Sequence, residues 1–349
     1  MKNTTIRTAL FVLGFALFQA AHAQSSVTVY GIADLGVEYI DHLPAADGSV
    51  LRLRSGAKAG SRLGFRGSED LGGGMRAFFT LESGIAIDTG ELMQGGRVFG
   101  RLAYVGLAGG WGELSLGRHR NAIFDVAVPF DPIGYGHFSL LSVDPAVAAR
   151  VDNAVRYRKS IGALALSAQY SFGYDAKIPG GAEVADNAKV GREVGVSAVY
   201  TNGAIATMLA YDQRQGVTIA TQNQDERRLV AAGTYDFGRW KAYLGLIHLD
   251  RSLTPTLKRH TYWTGVDYKI TPRLALGAAL YKHDVRGKAA DSRLYALSAA
   301  YSLSKRSQVY TKVGFASNDA GATQGVLAPA TAMDGQAQQG VVVGIIHFF

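Results

Sequence analysis

The chain has 349 residues, no cysteine, and 36 Lys and Arg against 28 Asp and Glu, a net charge of +8. The absence of cysteine excludes a disulfide framework and any thiolate metal site. The bases are spread along the chain rather than clustered, which argues against a nucleic-acid partner; charged residues make up 18%, below the roughly 25% of a soluble domain.

Residues 1–23 read as a signal peptide. Lys2 and Arg7 give a basic start, residues 9–18 an apolar core, and Ala21-His22-Ala23 a small-x-small cleavage site. The core is shorter than the roughly 20 residues a membrane helix needs. Cleavage would leave residues 24–349 with 34 bases against 28 acids, a net of +6. No later stretch is long and apolar enough for a transmembrane helix.

From residue 27 onward, apolar and polar residues alternate with a period of two. The segments in order are 27–40, 61–70, 75–88, 97–109, 112–120, 153–160, 163–175, 192–203, 204–215, 226–240, 241–252, 260–273, 274–287, 292–307, 308–319 and 339–349. In MRAFFTLE (75–82), Ala77, Phe79 and Leu81 share one face and Arg76, Thr80 and Glu82 the other. Asn202-Gly203 joins two segments with the strongest short hairpin signal. The connections alternate between tight turns and longer loops. An even strand number with that two-ended asymmetry is the pattern of an outer-membrane barrel. Closure also gives every backbone N–H and C=O a partner, which lipid requires. Tyr30, Tyr39, Tyr157, Tyr170, Tyr200, Tyr211, Tyr262, Tyr281, Tyr301 and Phe348 lie near segment ends and are expected to form the interfacial girdles.

One connection stands apart. Residues 121–152 are too long for a hairpin loop, and loops beyond about 15 residues are usually functional. This one is largely apolar, with Asp125, Asp131 and Asp144 and with Pro129, Pro132 and Pro145. It is expected to fold back into the barrel rather than wave in solvent.

GSRLGFRGSEDLGGG (60–74), FGRLAYVGL (99–107), LGR (116–118) before the long loop, VTVYGIADLGVEY (27–39) and the terminal Phe349 occur together and in order. In these motifs the chain resembles the general porins of Gram-negative bacteria, in particular their beta-proteobacterial (Burkholderia/Bordetella/Neisseria-like) branch. The resemblance implies a 16-stranded antiparallel transmembrane β-barrel in the outer membrane, with residues 24–349 as one barrel and the third long loop (121–152) narrowing the pore. It also implies a homotrimer surrounded by outer-membrane lipid and lipopolysaccharide, and a C-terminal strand, ending in Phe349, that the barrel-assembly machinery reads. No cofactor is implied. The enterobacterial branch carries Pro-Glu-Phe-Gly at the loop tip. Here Pro132-Ile133-Gly134-Tyr135-Gly136 stands instead, without the acid.

A charge on the lipid face at mid-bilayer costs about 2–4 kcal/mol, so strand arginines are expected to face the lumen. Arg62, Arg66, Arg101, Arg156 and Arg158 are the candidates. The resemblance places Arg62, Arg101 and Arg158 in the family's basic cluster. Arg101 has the parity of Ala103 and Val105, so it needs a bulge or a strand end to turn inward. Asp125 and Asp131 on the loop, with Glu82 on the wall, are the expected opposing acids, although Asp131-Pro132 also reads as a turn starter. A surplus of bases predicts modest anion preference. The alternatives are a substrate-selective channel for an organic acid or sugar, a barrel enzyme and a soluble β-sandwich. For an enzyme the candidate His–Asp neighbours are His248/Asp250 and His283/Asp284, and neither G-x-S-x-G nor H-E-x-x-H occurs.

Overall fold

A computed structural model of the chain describes residues 26–44, 47–134, 136–175, 183–327 and 332–349. The expected signal segment 1–23 and Tyr135 of the loop tip lie outside the described residues.

Sixteen strands close into one barrel. They are β1 (Ser26–Leu43), β2 (Arg62–Gly72), β3 (Met75–Ala86) and β4 (Leu102–Gly109), then β5 (Gly112–Arg120), β6 (Arg150–Ile161), β7 (Leu164–Ser171) and β8 (Glu193–Asn202). There follow β9 (Ile205–Gln215), β10 (Asp225–Asp236), β11 (Trp240–Arg251) and β12 (Leu257–Lys269), then β13 (Leu274–Val285), β14 (Ser292–Ser302), β15 (Ser307–Asn318) and β16 (Gln338–Phe348). Each pairs antiparallel with the next, and β16 pairs back onto β1 from Ile32↔Phe348 to Ile40↔Gly340. All sixteen expected segments are strands. A short strand, Gly48–Ser55, extends the wall by pairing with the far half of β1. Glu91–Leu92 adds two residues against the end of β3.

Parity decides what each side chain meets. On β1, Val27 and Val29 point outward at 67% and 55% exposure, while Asp34 and Glu38 point inward and are fully buried. Outward positions elsewhere, such as Val105, Leu107, Leu209, Leu244, Leu297 and Val343, are exposed and aliphatic. They form the apolar band that a spanning barrel shows to lipid. Tyr39, Tyr157, Tyr200, Tyr262 and Tyr301 are exposed on this outer surface, as expected of girdle residues. Three of the expected girdle residues are not. Tyr30 and Tyr281 point into the lumen, where their hydroxyls reach carboxylates, and Phe348 shares the inward parity of the buried Ile346. Position near a strand end is a weaker signal than parity.

Tight turns close one end of the barrel, for example at residues 73–74, 110–111 and 203–204. The chain terminus is tied down at that same end. Phe349 N–H donates to Gly31 O at 3.1 Å, and Gly31 N–H donates to Phe349 O at 3.0 Å. A Cβ on Gly31 would stand 2.3 Å from the Phe349 ring, so only glycine leaves the ring its seat.

Candidate functional site: a narrowed channel

The inward arginines gather on neighbouring strands. Arg62 and Arg66 alternate with Gly64 on β2, in register with the inward Ile32 and Thr28 of β1. Arg62 Nε donates to Gly60 O at 2.9 Å, and the Arg66 guanidinium lies over the Tyr30 ring at 5.3 Å from its centroid. Arg156 and Arg158 sit inward on β6, opposite Ser115 and Glu113 of β5.

Arg101 resolves its parity conflict by preceding β4. It stands at a bend after Gly100, its backbone N–H donates to Glu82 O at 3.0 Å, and its side chain turns inward. There Arg101 Nε donates to Glu82 Oε1 at 2.6 Å, with the arginine only 2% exposed. Gly60 makes the room, since a Cβ there would be 2.8 Å from Arg101 Nη1.

The long connection, 121–149 between β5 and β6, coils in four short turns. Three of them have a local side-chain cause. Asn121 Oδ1 accepts from Phe124 N–H at 2.9 Å and starts Phe124–Ala127. Ser139 Oγ accepts from Leu141 N–H at 3.3 Å ahead of Leu140–Val143. Asp144 Oδ1 accepts from Ala146 N–H at 3.2 Å, with Pro145 opening Pro145–Ala148. These are side-chain caps of orphaned N–H groups, with proline at the first helical position.

The loop's apolar side is what carries it across the barrel. Ile123, Phe130, Phe138, Leu140, Val143 and Val147 are buried in one cluster with inward residues of the far wall. Those are Met208 of β9, Val230 of β10, Ile247 of β11, Trp263 of β12, Tyr281 of β13 and Leu294 of β14. Trp263 Nε1–H donates to Phe130 O at 2.8 Å. Phe138, fully buried, lies on Gly314 and Gly340, where added Cβ atoms would come within 2.7 and 2.9 Å of its ring. The Pro132 ring takes the same kind of seat against Gly265. The loop therefore lines the wall from β9 to β16, and the arginines of β2–β6 stand across the remaining gap.

Of the three acids expected to oppose the arginines, Glu82 and Asp131 do not take that place. Glu82 belongs to the basic side: it accepts from Arg101 and from Tyr30 Oη at 3.0 Å, and Arg62 Nη1 is 3.9 Å away. Asp131 faces away from the gap. Its Oδ1 accepts from Ile133 N–H at 3.0 Å and from the Tyr281 hydroxyl, and its Oδ2 accepts from Leu140 N–H at 2.7 Å. Burial pushes the Asp131 carboxyl up to about 6, against the hydrogen bonds from Tyr281, Leu140 and Ile133 and the nearby Lys312. The turn-starting reading of Asp131-Pro132 describes its geometry; the opposing-acid reading does not. Asp144 is likewise consumed, accepting from Arg228 Nε at 3.1 Å and Arg259 Nη2 at 3.2 Å. Burial raises its carboxyl, but the two guanidiniums outweigh that and bring it down to about 2.

Asp125 alone of the loop acids meets the basic wall. Its Oδ2 is 2.5 Å from Arg156 Nη2, and its Oδ1 is 3.7 Å from Arg120 Nη1. Arg120, not singled out in the sequence, therefore joins the wall. So does Arg150, since both guanidiniums lie over the Phe124 ring, at 5.2 and 5.4 Å. Their signal was available: each is the stem residue where the long loop leaves or re-enters the sheet. The His–Asp neighbours form no catalytic constellation. Asp250 pairs with Lys258 at 3.3 Å, His248 packs beside His260, and His283 is buried.

Comparison with known proteins agrees with this architecture. A family model described as Gram-negative porin matches residues 9–321. Outer membrane porin protein 32 of Delftia acidovorans is 32% identical, with the whole of both chains covered. An outer membrane porin protein of Bordetella pertussis is 35% identical over 68% of this chain and 66% of its own. Among solved structures, the anion-selective porin from Comamonas acidovorans superposes with a TM-score of 0.81 at 26% identity, covering 93% of this chain and 100% of that one.

Proposed function

The chain belongs to the Gram-negative porin family and is an outer-membrane porin, a passive water-filled channel for small hydrophilic solutes and ions, and on that premise we propose that its channel prefers anions. The observation that carries this reading is the fate of the loop acids. Asp131 and Asp144 are sealed against the far wall, and Asp125 is bound to Arg156, while Arg66 and Arg158 stand inward with no carboxylate within ion-pair distance among the described residues. Fixed charge around a narrow aqueous passage sets the sign of the favoured ion. At about 0.1 M salt the Debye length is about 10 Å, so wall charges reach across a constriction.

The roles assigned to Arg62, Arg66, Arg101, Arg156 and Arg158 follow from this. Arg66 and Arg158 supply the field, while Arg156 is paired with Asp125 and Arg62 and Arg101 are partly neutralised by Glu82. Liposome swelling tests the reading with neutral, acidic and amino sugars of matched size. The acid enters faster than the amine, and Arg66→Glu with Arg158→Glu reverses the order. Equal rates for acid and amine in the native protein contradict it. The exposed outer band and the family resemblance support a homotrimer in lipid and lipopolysaccharide, with Phe349 as the residue read during barrel assembly. Cross-linking of the folded protein to a three-chain species tests the trimer.

A further inference from the structure

A second recess lies off the channel axis, on the side of the long loops. Its volume is about 340 Å³. The constriction loop forms its floor through Ser142 and Pro145, strands β12–β14 its wall, and the last long loop its cover through residues 321–325. Two bases line it, Arg259 and Lys288, and no Asp or Glu does among the described residues. Asp144, beside the lining residues Val143 and Pro145, is already shared between Arg259 and Arg228, and Asp291, between the lining residues Ala290 and Ser292, accepts from Val285 N–H and pairs with Lys282. Arg259 Nε and His283 Nε2, both buried in the wall of the recess, have no hydrogen-bond partner among the described residues. Ser292 and Thr323 add hydroxyl groups to the lining.

We infer that this recess is a binding site for a small hydroxylated carboxylate, held above the constriction. Charge selects the carboxylate: a guanidinium and an ammonium with no lining acid favour an anion, and charge-assisted hydrogen bonds are the strong ones. The hydroxyl and amide groups of Ser292, Thr323 and Gln324 suit a polyhydroxylated tail. The site lies outside the β2–β6 arginines. It rests on the anion-passing reading only in that the channel delivers such solutes to it.

The test is calorimetric titration of the full-length folded protein in detergent with sodium gluconate at low salt, alongside the zero-current potential in a KCl gradient. Lys288 is exposed, so Lys288→Gln spares the fold, and Ala290→Trp fills the recess. One saturable gluconate site is expected. Lys288→Gln weakens it about tenfold, the loss of one charged hydrogen bond, and Ala290→Trp abolishes it. Both variants keep the native KCl potential. Gluconate binding that is unchanged in both variants, or absent from the native protein, overturns the inference. A cation-signed KCl potential with gluconate binding still lost in the variants would overturn the anion reading and leave the recess standing.

Discussion

At the scale of single residues, the channel is governed by where each carboxylate ends up. Asp131 is the clearest case. Its carboxyl is raised from an ordinary 3.8 to about 6 by burial, so the docked loop holds a proton that an undocked loop releases. Docking is therefore strongest below the ordinary value and weakens as pH rises through about 6, by about 3 kcal/mol in all. Thermal unfolding in detergent should show stability falling between pH 4 and pH 6.5. Asp131→Asn, which cannot ionise, should flatten that slope; an unchanged slope would remove Asp131 as its source. Glu82 gives a second prediction. It is the carboxylate bridging Arg62 and Arg101, so Glu82→Gln should shift the zero-current potential further toward anions, at a stability cost of about 3–5 kcal/mol for the broken buried pair. A shift toward cations would mean that Glu82 does not screen the wall.

At the scale of elements, the constriction loop is held by packing rather than by its charges alone. Phe138 sits at φ +60, a left-handed backbone, with its ring on Gly314 and Gly340. Phe138→Ala should cost about 3–5 kcal/mol of docking energy. Single-channel records should then show a noisier open state, and proteases should cut within 121–149. Quiet records and an intact loop would place the anchor elsewhere. This docking was only half legible in the sequence. The loop's length and apolar character showed that it must bury itself, but not against which strands. Its seats, Met208, Val230, Ile247 and Leu294, are aliphatic residues on strands that also carry aliphatic residues toward lipid, so the alternation weakens where the loop covers the wall. On β2 and β6, where the lumen stays open, Arg62, Arg66, Arg156 and Arg158 kept the alternation sharp and their facing readable. Arg101 was legible only as a conflict, because parity says nothing about a residue on the bend before a strand. Sequence gives charge but not burial, so the places of Asp131 and Glu82 were not readable: Asp131 is spent on its own turn and Glu82 on Arg101 and Tyr30 before either can act across the pore.

For the whole molecule, sixteen strands were countable because a closed sheet in lipid must alternate along every strand, and insertions such as Gly48–Ser55 extend the wall without adding to the ring. Closure is completed by Phe349 on Gly31. Gly31→Val should unseat that ring and lower the yield of heat-resistant folded barrel; an undiminished yield would show that the β1–β16 ladder closes without it. The central claim concerns the whole channel: the gap between loop and wall carries a net positive field. The measurement that tests it most directly is the zero-current potential of the native protein in a planar bilayer under a KCl gradient. The predicted potential has the sign of chloride permeation at about 0.1 M salt, and shrinks toward about 1 M as the Debye length falls to about 3 Å. A potential with the sign of potassium permeation at low salt would contradict the account.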